Sequence, residues 1–537
     1  MKAEKKLSVL LEMRPALDGY AGIPQETRLL FRGLCMVDSV EVEGLLQTSL
    51  RFLTSGMKTK RSDASEGDAT QAESIRLNRY SRVVISVDSK PSTKPLEMAK
   101  LYWKRRREAF ALTLSSLLAP GWQKVKTTVF EPMGFEAFIW QSLFAKTLPA
   151  SDFSLVTTKG YRVCAVPWNI MQSAGLNSLK FVSQAVFPKL STHGTDVFIA
   201  QTPYPGRVGN NTALVVRYHD ALPVFMPHAF ANKSRHQATH FHALASNVRS
   251  GAYFACVSES TRQDLLRIFP ELAERAVTIH NMVSPCFFED ASPASTVPDI
   301  IRARINLQSA AACPAFVSLT EQDEFYRRHL HAQPVKYLLM VATIEPRKNH
   351  GRLLAGWEAI RAELDPSIKL VIVGSPGWDV EPIMQGMRSW IDQGALFVLN
   401  NVPAADLRVL YRHAAATVCP SIAEGFDFSG VEAMCSGGIA IASDIPVHRE
   451  VYADAAEYFD AYSTESLVSA LKRVLYDPTA SQAQEDLRKH GREVSLRYSS
   501  DTILPKWKLF LNQIANRKIL AFQPSPASAM APPSASV

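Results

Sequence analysis

Two glutamates eight residues apart, Glu424 and Glu432, bracket the segment EGFDFSGVE. The preceding run ATVCP reads as a strand ending at Pro420, and Ser429 and Glu432 stand in the S-x-x-E relation of a capping box, which sets a helix start near Ser429. Gly425 and Gly430 let backbone come close to a ligand, and free N–H groups at a helix start attract an anion. A phosphate-bearing molecule is therefore the natural occupant of the loop Gly425, Phe426, Asp427, Phe428, Ser429 and Gly430. The two carboxylates could accept hydrogen bonds from its hydroxyls. The plain alternative is a strand-to-helix turn in which Glu432 only caps.

A second cluster, VATIEPRKN, places Arg347 and Lys348 after a strand that ends at Ile344. Arg by its planar fork and Lys as a point charge can neutralise a diphosphate, although a solvated basic loop has the same composition. His219 and Asp220 follow the strand ALVVRY, at the rim of another sheet. Such a histidine is structural or, if the strand end faces a ligand cleft, a hydrogen-bond partner of that ligand. His236 and His240 have the i, i+4 spacing of a metal pair, but no glutamate completes a metalloprotease pattern, so the segment reads as a surface helix and no metal is expected.

Taken in order, VATIEPRKNHGRLL, KLVIVGSPGW, DLRVLYRHAAATVCPSIAEGFDFSGVEAM and GIAIASDIPVHREV resemble the donor half of glycosyltransferase family 4, retaining enzymes of the GT-B fold that include bacterial O-antigen and polysaccharide mannosyltransferases. The resemblance implies that Glu432 contacts the ribose of a nucleotide sugar, that Glu424 and the loop after it contact the transferred sugar, and that Lys348 with Arg347 holds the diphosphate. More weakly, DGYAGIPQET, with Gly22, resembles the glycine-rich loop near the donor phosphates, and RYHDALP resembles the loop whose histidine reaches the sugar. His219 and Asp220 thereby join Glu424 as candidate catalytic residues. VSESTRQDLL is similar to a strand-helix junction of the family.

Two departures matter. Many members read EGFG followed by an apolar residue and Pro, whereas this chain has Asp427 and Ser429, and Ala342 stands where some members carry Arg. Either a second carboxylate faces the donor sugar or the loop has another shape, and phosphate binding leans on Lys348, Arg347 and backbone N–H groups. The implied activity is transfer of a hexosyl unit from a nucleotide diphosphate sugar, GDP-mannose foremost, to a glycan or lipid-linked acceptor in cell-surface polysaccharide assembly, with no cofactor. The competing readings are a nucleotide-sugar epimerase of the same fold and a non-catalytic scaffold. A dehydrogenase is disfavoured, since no G-x-G-x-x-G follows the first strand.

These loops need elements to hold them. LSVLLEM at 7–13, RVVISVD at 82–88, TDVFIAQ at 195–201, ALVVRY at 213–218 and AYFACVS at 252–258 read as strands alternating with helical stretches, the first of which runs from Gln25 or Glu26 to about Cys35. KYLLMVATI, KLVIVG, LFVLN, ATVCP and GIAIASD repeat the alternation after DASPASTVPD. The expected fold class is α/β, a GT-B architecture of two Rossmann-like doubly wound domains facing a cleft. The first domain spans 1–334, with a mobile polar insertion at about 55–75 and a linker at about 290–334; the second spans 335–495. A helix at 496–522 is expected to return to the first domain, and 523–537 reads as a disordered Pro/Ser/Ala-rich tail.

Composition sets the outer limits. In 537 residues, Lys+Arg 59 against Asp+Glu 51 gives +8, too diffuse for a nucleic-acid partner. Seven cysteines without C-x-x-C spacing suit a reducing cytoplasm, and no stretch approaches a membrane span. LYWKRRREAFALTLSSLL at 101–118 mixes four consecutive cations with Leu101, Trp103, Phe110 and Leu114, as either an interfacial helix at the inner membrane face or an ordinary core helix with a solvated side.

Overall fold

The computed structural model describes residues 6–17, 19, 22–58, 69–89, 93–118, 124–230, 232–305, 313–330 and 334–516. Apolar runs become parallel strands because both their faces are covered by the intervening helices. In chain order the strands are β1 (Leu7–Glu12), β2 (Val40–Leu46), β3 (Lys124–Val125), β4 (Thr127–Phe130), β5 (Gly160–Cys164), β6 (Lys189–Leu190), β7 (Val197–Ala200), β8 (Ala213–Tyr218), β9 (Tyr253–Cys256) and β10 (Ala276–Thr278). They continue as β11 (Tyr337–Val341), β12 (Lys369–Val373), β13 (Leu396–Leu399), β14 (Ala416–Cys419), β15 (Ala440–Ser443) and β16 (Ala456–Phe459).

One sheet has the order β10-β9-β8-β7-β1-β2-β5-β4 and the other β13-β12-β11-β14-β15-β16, while β3 and β6 form a separate short pair. Counted from its own first strand, the second sheet runs 3-2-1-4-5-6, the doubly wound order whose crevice opens between strands 1 and 4. The first sheet repeats that order from β5 to β9, with β10 added at one edge and the antiparallel β4 at the other. The architecture is α/β with two Rossmann-like domains, and the switch point of the second lies between β11 and β14.

The last helix, Ser500–Ala515, sends Trp507, Phe510 and Ile514 into the core of the first sheet among Val9, Leu29 and Phe31. The stretch read as a linker contains the helix Thr296–Ile305, whose Val297, Ile300, Ile301 and Ile305 pack into the second sheet's core with Leu339 and Phe397.

Two expectations are corrected. RVVISVD is not a strand but the end of the helix Ala69–Asp88: Tyr80, Val83 and Val87 are buried while Ile85 is exposed, a three-and-four spacing that turns one helical face onto the first domain's core. Packing overrides the β preference of its valines and isoleucine. The same helix takes in the end of the polar segment expected as an insertion, of which 59–68 lie outside the described residues, as do the tail residues 523–537.

The basic segment lies in the helix Pro95–Leu118, which turns Ala109, Thr113 and Ser116 inward. Thr113 Oγ1 donates to Ala174 O of the helix Trp168–Ser178 at 3.1 Å. Among the described residues no helix is long and apolar enough to cross a membrane.

Candidate active site

The chain leaves β11 through a short turn, Pro346–Lys348, and enters the helix His350–Glu363 at Asn349, whose φ of 60° is left-handed. Asn349 Nδ2 donates to Pro420 O at 3.0 Å, which ties this turn to the loop after β14. Arg347 donates through Nη1 to Glu424 Oε2 and through Nη2 to Glu345 Oε1, both at 2.8 Å, and Lys348 Nζ reaches Glu424 Oε1 at 2.5 Å. Burial pushes the Glu424 carboxyl up, but Arg347 and Lys348 outweigh it and hold the group below its ordinary value. Two cations and two carboxylates thus sit at the switch point, where open α/β sheets bind ligands.

The helix after EGFDF is Phe428–Cys435, and its cap differs from the expected box: Asp427, not Ser429, is the N-cap. Asp427 Oδ1 accepts Ser429 N–H at 3.1 Å and its hydroxyl at 2.6 Å, because a backbone φ of 38° folds the carboxylate over the helix start. Its other oxygen faces His448 Nε2 at 3.2 Å. Glu432, freed from capping, is buried and accepts Gln25 Nε2 at 2.7 Å and Tyr411 OH at 3.1 Å. Burial raises its pKa to about 7, against the pull of these two neutral donors. Phe426 turns its ring into the apolar core against Phe428 and Tyr498 rather than towards the cleft, and Gly430 leaves room for the ring of Tyr452.

The first domain closes against this loop. A Cβ on Gly425 would stand 1.9 Å from His219 O, so only glycine permits the approach, and Ser258 Oγ donates to Gly425 O at 2.7 Å. Burial, then the charge of Arg217, lowers the His219 pKa to about 3, and its Nε2 finds no hydrogen-bond partner among the described residues. A neutral imidazole with an unused nitrogen is therefore carried by the loop whose backbone meets Gly425. Asp220 caps the following turn through Leu222 N–H at 3.1 Å, and burial raises its pKa against the opposing charge of Arg347. Gly22, with φ 70°, starts the helix Ile23–Cys35 that brings Gln25 to Glu432.

Elsewhere on the seam Glu450 accepts Glu259 N–H at 2.6 Å and Ser260 N–H at 2.9 Å, capping the helix Glu259–Ile268 of the other domain. Trp378 Nε1 donates to Ala229 O at 2.9 Å, and Phe230 stacks between Trp378 and His236. His236 is thus part of an aromatic stack on the exposed first turn of its helix, as a surface helix implies, while the later stretch from Ala243 to Val248 is buried.

Sequence reasoning missed Gln25, Ser258, His448 and Glu450. Ser258 carried a signal, as a serine ahead of Glu259 and the helical pattern; the other three act only across folds of the chain.

Residues 321–494 match the family model described as glycosyl transferases group 1. Among curated relatives, the O-antigen chain mannosyltransferase B of Escherichia coli is 26% identical over 235 residues, 44% of this chain and 54% of that protein. The serotype-specific mannosyltransferase WbdA of Escherichia coli is 27% identical over 240 residues, 43% of this chain and 26% of that protein. The matched region thus spans about half the length of the first relative and about a quarter of the second. Sucrose-phosphate synthase from Thermosynechococcus elongatus superposes with a TM-score of 0.54 at 14% identity, over 96% of this chain and all of that one. The chain carries a glycosyltransferase group 1 domain on a GT-B fold.

Proposed function

We propose that the protein is a retaining, family 4 type hexosyltransferase that moves a mannose-type sugar from a nucleotide diphosphate donor, GDP-mannose foremost, to a glycan or lipid-linked acceptor in polysaccharide assembly. The observation that carries this reading is the convergence of Arg347, Lys348 and Glu424 at the switch point, where the loop of His219, whose Nε2 is unused, meets Gly425. In the reaction the bond from the anomeric carbon to the diphosphate breaks and an acceptor oxygen, passing its proton to the departing diphosphate, takes its place. Arg347 and Lys348 meet the charge of the leaving diphosphate without a metal or cofactor. Glu424 faces the positive charge that develops on the sugar, and His219 Nε2 accepts a sugar hydroxyl. Glu432, beside Gln25, receives the ribose hydroxyls. The mannosyltransferase relatives support the choice of sugar.

A lipid-linked acceptor would meet the helix Pro95–Leu118. Leu96, Trp103 and Phe110 recur every seven residues on the side away from Ala109, Thr113 and Ser116, and are 78%, 68% and 53% exposed. Lys100, Lys104, Arg106 and Arg107 accompany this stripe, the composition of a helix lying on an anionic lipid surface.

The test is a donor screen on the purified chain, reading nucleoside diphosphate release with no acceptor, with soluble glycan, and with anionic vesicles carrying a lipid-linked acceptor. Release that needs an acceptor is expected, highest on vesicles. Acceptor-independent rearrangement of the donor would favour the epimerase, and no turnover with any donor would defeat the enzyme reading.

A further inference from the structure

The positive groups of the cleft are already occupied by the protein's own anions. Glu424 takes Lys348 and one arm of Arg347, and Glu345 takes the other arm. The start of the helix Phe428–Cys435 is filled as well, by Asp427 Oδ1 on Ser429. A carboxylate set on the N–H groups of a helix start stands where an anionic ligand would bind. Lys348, Asp427 and Ser429 line one small hollow with Ala342, Cys419 and Ser421, between the ends of β11 and β14.

Asp427 is anchored there more firmly than a cap requires. His448 is fully buried, its Nδ1 is 2.9 Å from Ser443 O and its Nε2 3.2 Å from Asp427 Oδ2. The Ser443 hydroxyl donates to Ser421 O, and both imidazole nitrogens lie against oxygens of neighbouring residues. Its ring stacks on Tyr452, with centroids 5.0 Å apart. A fully buried imidazole thus holds a carboxylate at the helix start beside Lys348, on a backbone with positive φ that few side chains tolerate.

We propose that Asp427 is an internal competitor for the donor's diphosphate: its carboxylate holds the helix start that a phosphate oxygen would take, and by regaining it after transfer it drives out the nucleoside diphosphate product. The inference rests on the nucleotide-sugar reading above. Binding is then weaker than Arg347, Lys348 and the helix start could support together, and product leaves faster.

The experiment is calorimetric titration of the full chain with GDP and UDP, on wild type, Asp427→Asn and Lys348→Ala. Asparagine removes the charge, keeps an oxygen for Ser429 N–H and tolerates positive φ at least as well. The expected result is about tenfold tighter nucleoside diphosphate in Asp427→Asn, the order of one relieved charge repulsion. In turnover, a lower inhibition constant for that product and a lower kcat should follow. A purely structural cap would instead leave binding unchanged in Asp427→Asn, which keeps the capping oxygen. Thermal melting of Asp427→Asn and of a second variant, Asp427→Ser, separates altered binding from loss of fold. Equal or weaker binding in a folded Asp427→Asn, with binding lost in Lys348→Ala, overturns the competitor and leaves the nucleotide reading standing. No binding of either nucleotide to wild type or Asp427→Asn defeats both.

Discussion

Glu424 and Glu432 are the same residue type at the two ends of one loop and helix, both largely buried, yet they are driven in opposite directions. Glu424 meets Arg347 and Lys348, so its charge is favoured; Glu432 meets Gln25 and Tyr411, neutral donors that do not compensate for burial. The difference extends to the walls of the cleft. The second domain concentrates paired charge in two loops at one switch point, whereas the first offers the neutral His219, Gln25 and Ser258, drawn from separate segments, with Asp220 as the carboxylate that feels Arg347. A diphosphate and a sugar make those two demands: fixed charge for the leaving group, and uncharged hydrogen-bonding groups for hydroxyls.

Breaking the charged wall should have the largest effect. Lys348→Ala is expected to lower the rate of transfer by about 10²–10³-fold, the range for removing one preorganised group that stabilises a leaving anion. Steady-state kinetics with saturating acceptor would check it, and a loss below tenfold would mean that Arg347 alone suffices. Next comes the junction between the walls. Gly425→Ala brings a Cβ to 1.9 Å from His219 O, so the domains must separate. Activity should fall by about 10²-fold, since a misplacement of about 1 Å costs that much. The melting temperature should change little, because each sheet has its own core. Small-angle scattering should show a larger radius of gyration; an unchanged one with full activity would disprove the close approach.

The unequal legibility of the two walls has the same origin. Arg347, Lys348, Glu424 and the strands that carry them lie in short contiguous segments, where apolar runs, glycines and charges fall in reading order. The S-x-x-E spacing predicts Ser429 as the cap, but Asp caps as well as Ser, and a positive φ at Asp427, invisible in residue types, sets the cap two residues earlier. The strand β2, VEVEGLL, escaped notice because Glu43 interrupts its apolar pattern, its charge being met inside by Arg162 at 2.6 Å. RVVISVD failed for the opposite reason, a strand composition recruited as a helical cover. Gln25, His448 and Glu450 find partners as much as 407 residues away in Gln25's case, and no local pattern encodes such a meeting.

Stability against pH should sharpen the contrast between the glutamates. The folded pKa of Glu432, about 7, lies above its ordinary 4.5, so the folded state binds the proton more tightly than the unfolded one. Stability is then greatest below about pH 4.5 as far as this group is concerned, and declines as pH rises through 7, by at most about 3 kcal/mol. Glu432→Gln should flatten that part of a denaturation series between pH 5 and 8. A slope equal to wild type would place the proton elsewhere.

The smallest effect belongs to the neutral wall. His219 is held uncharged down to about pH 3, so it can give no inflection to activity between pH 5 and 8. Its contribution is a single accepted hydrogen bond through Nε2, worth about 1 kcal/mol or a little more. His219→Ala should therefore lower kcat/KM for the sugar donor by about five- to tenfold while leaving the affinity for the bare nucleoside diphosphate unchanged, because that ligand lacks the hydroxyl. Lys348→Ala would weaken both. Equal weakening of donor and diphosphate by His219→Ala would move His219 to the charged side of the cleft and remove the division between sugar wall and phosphate wall.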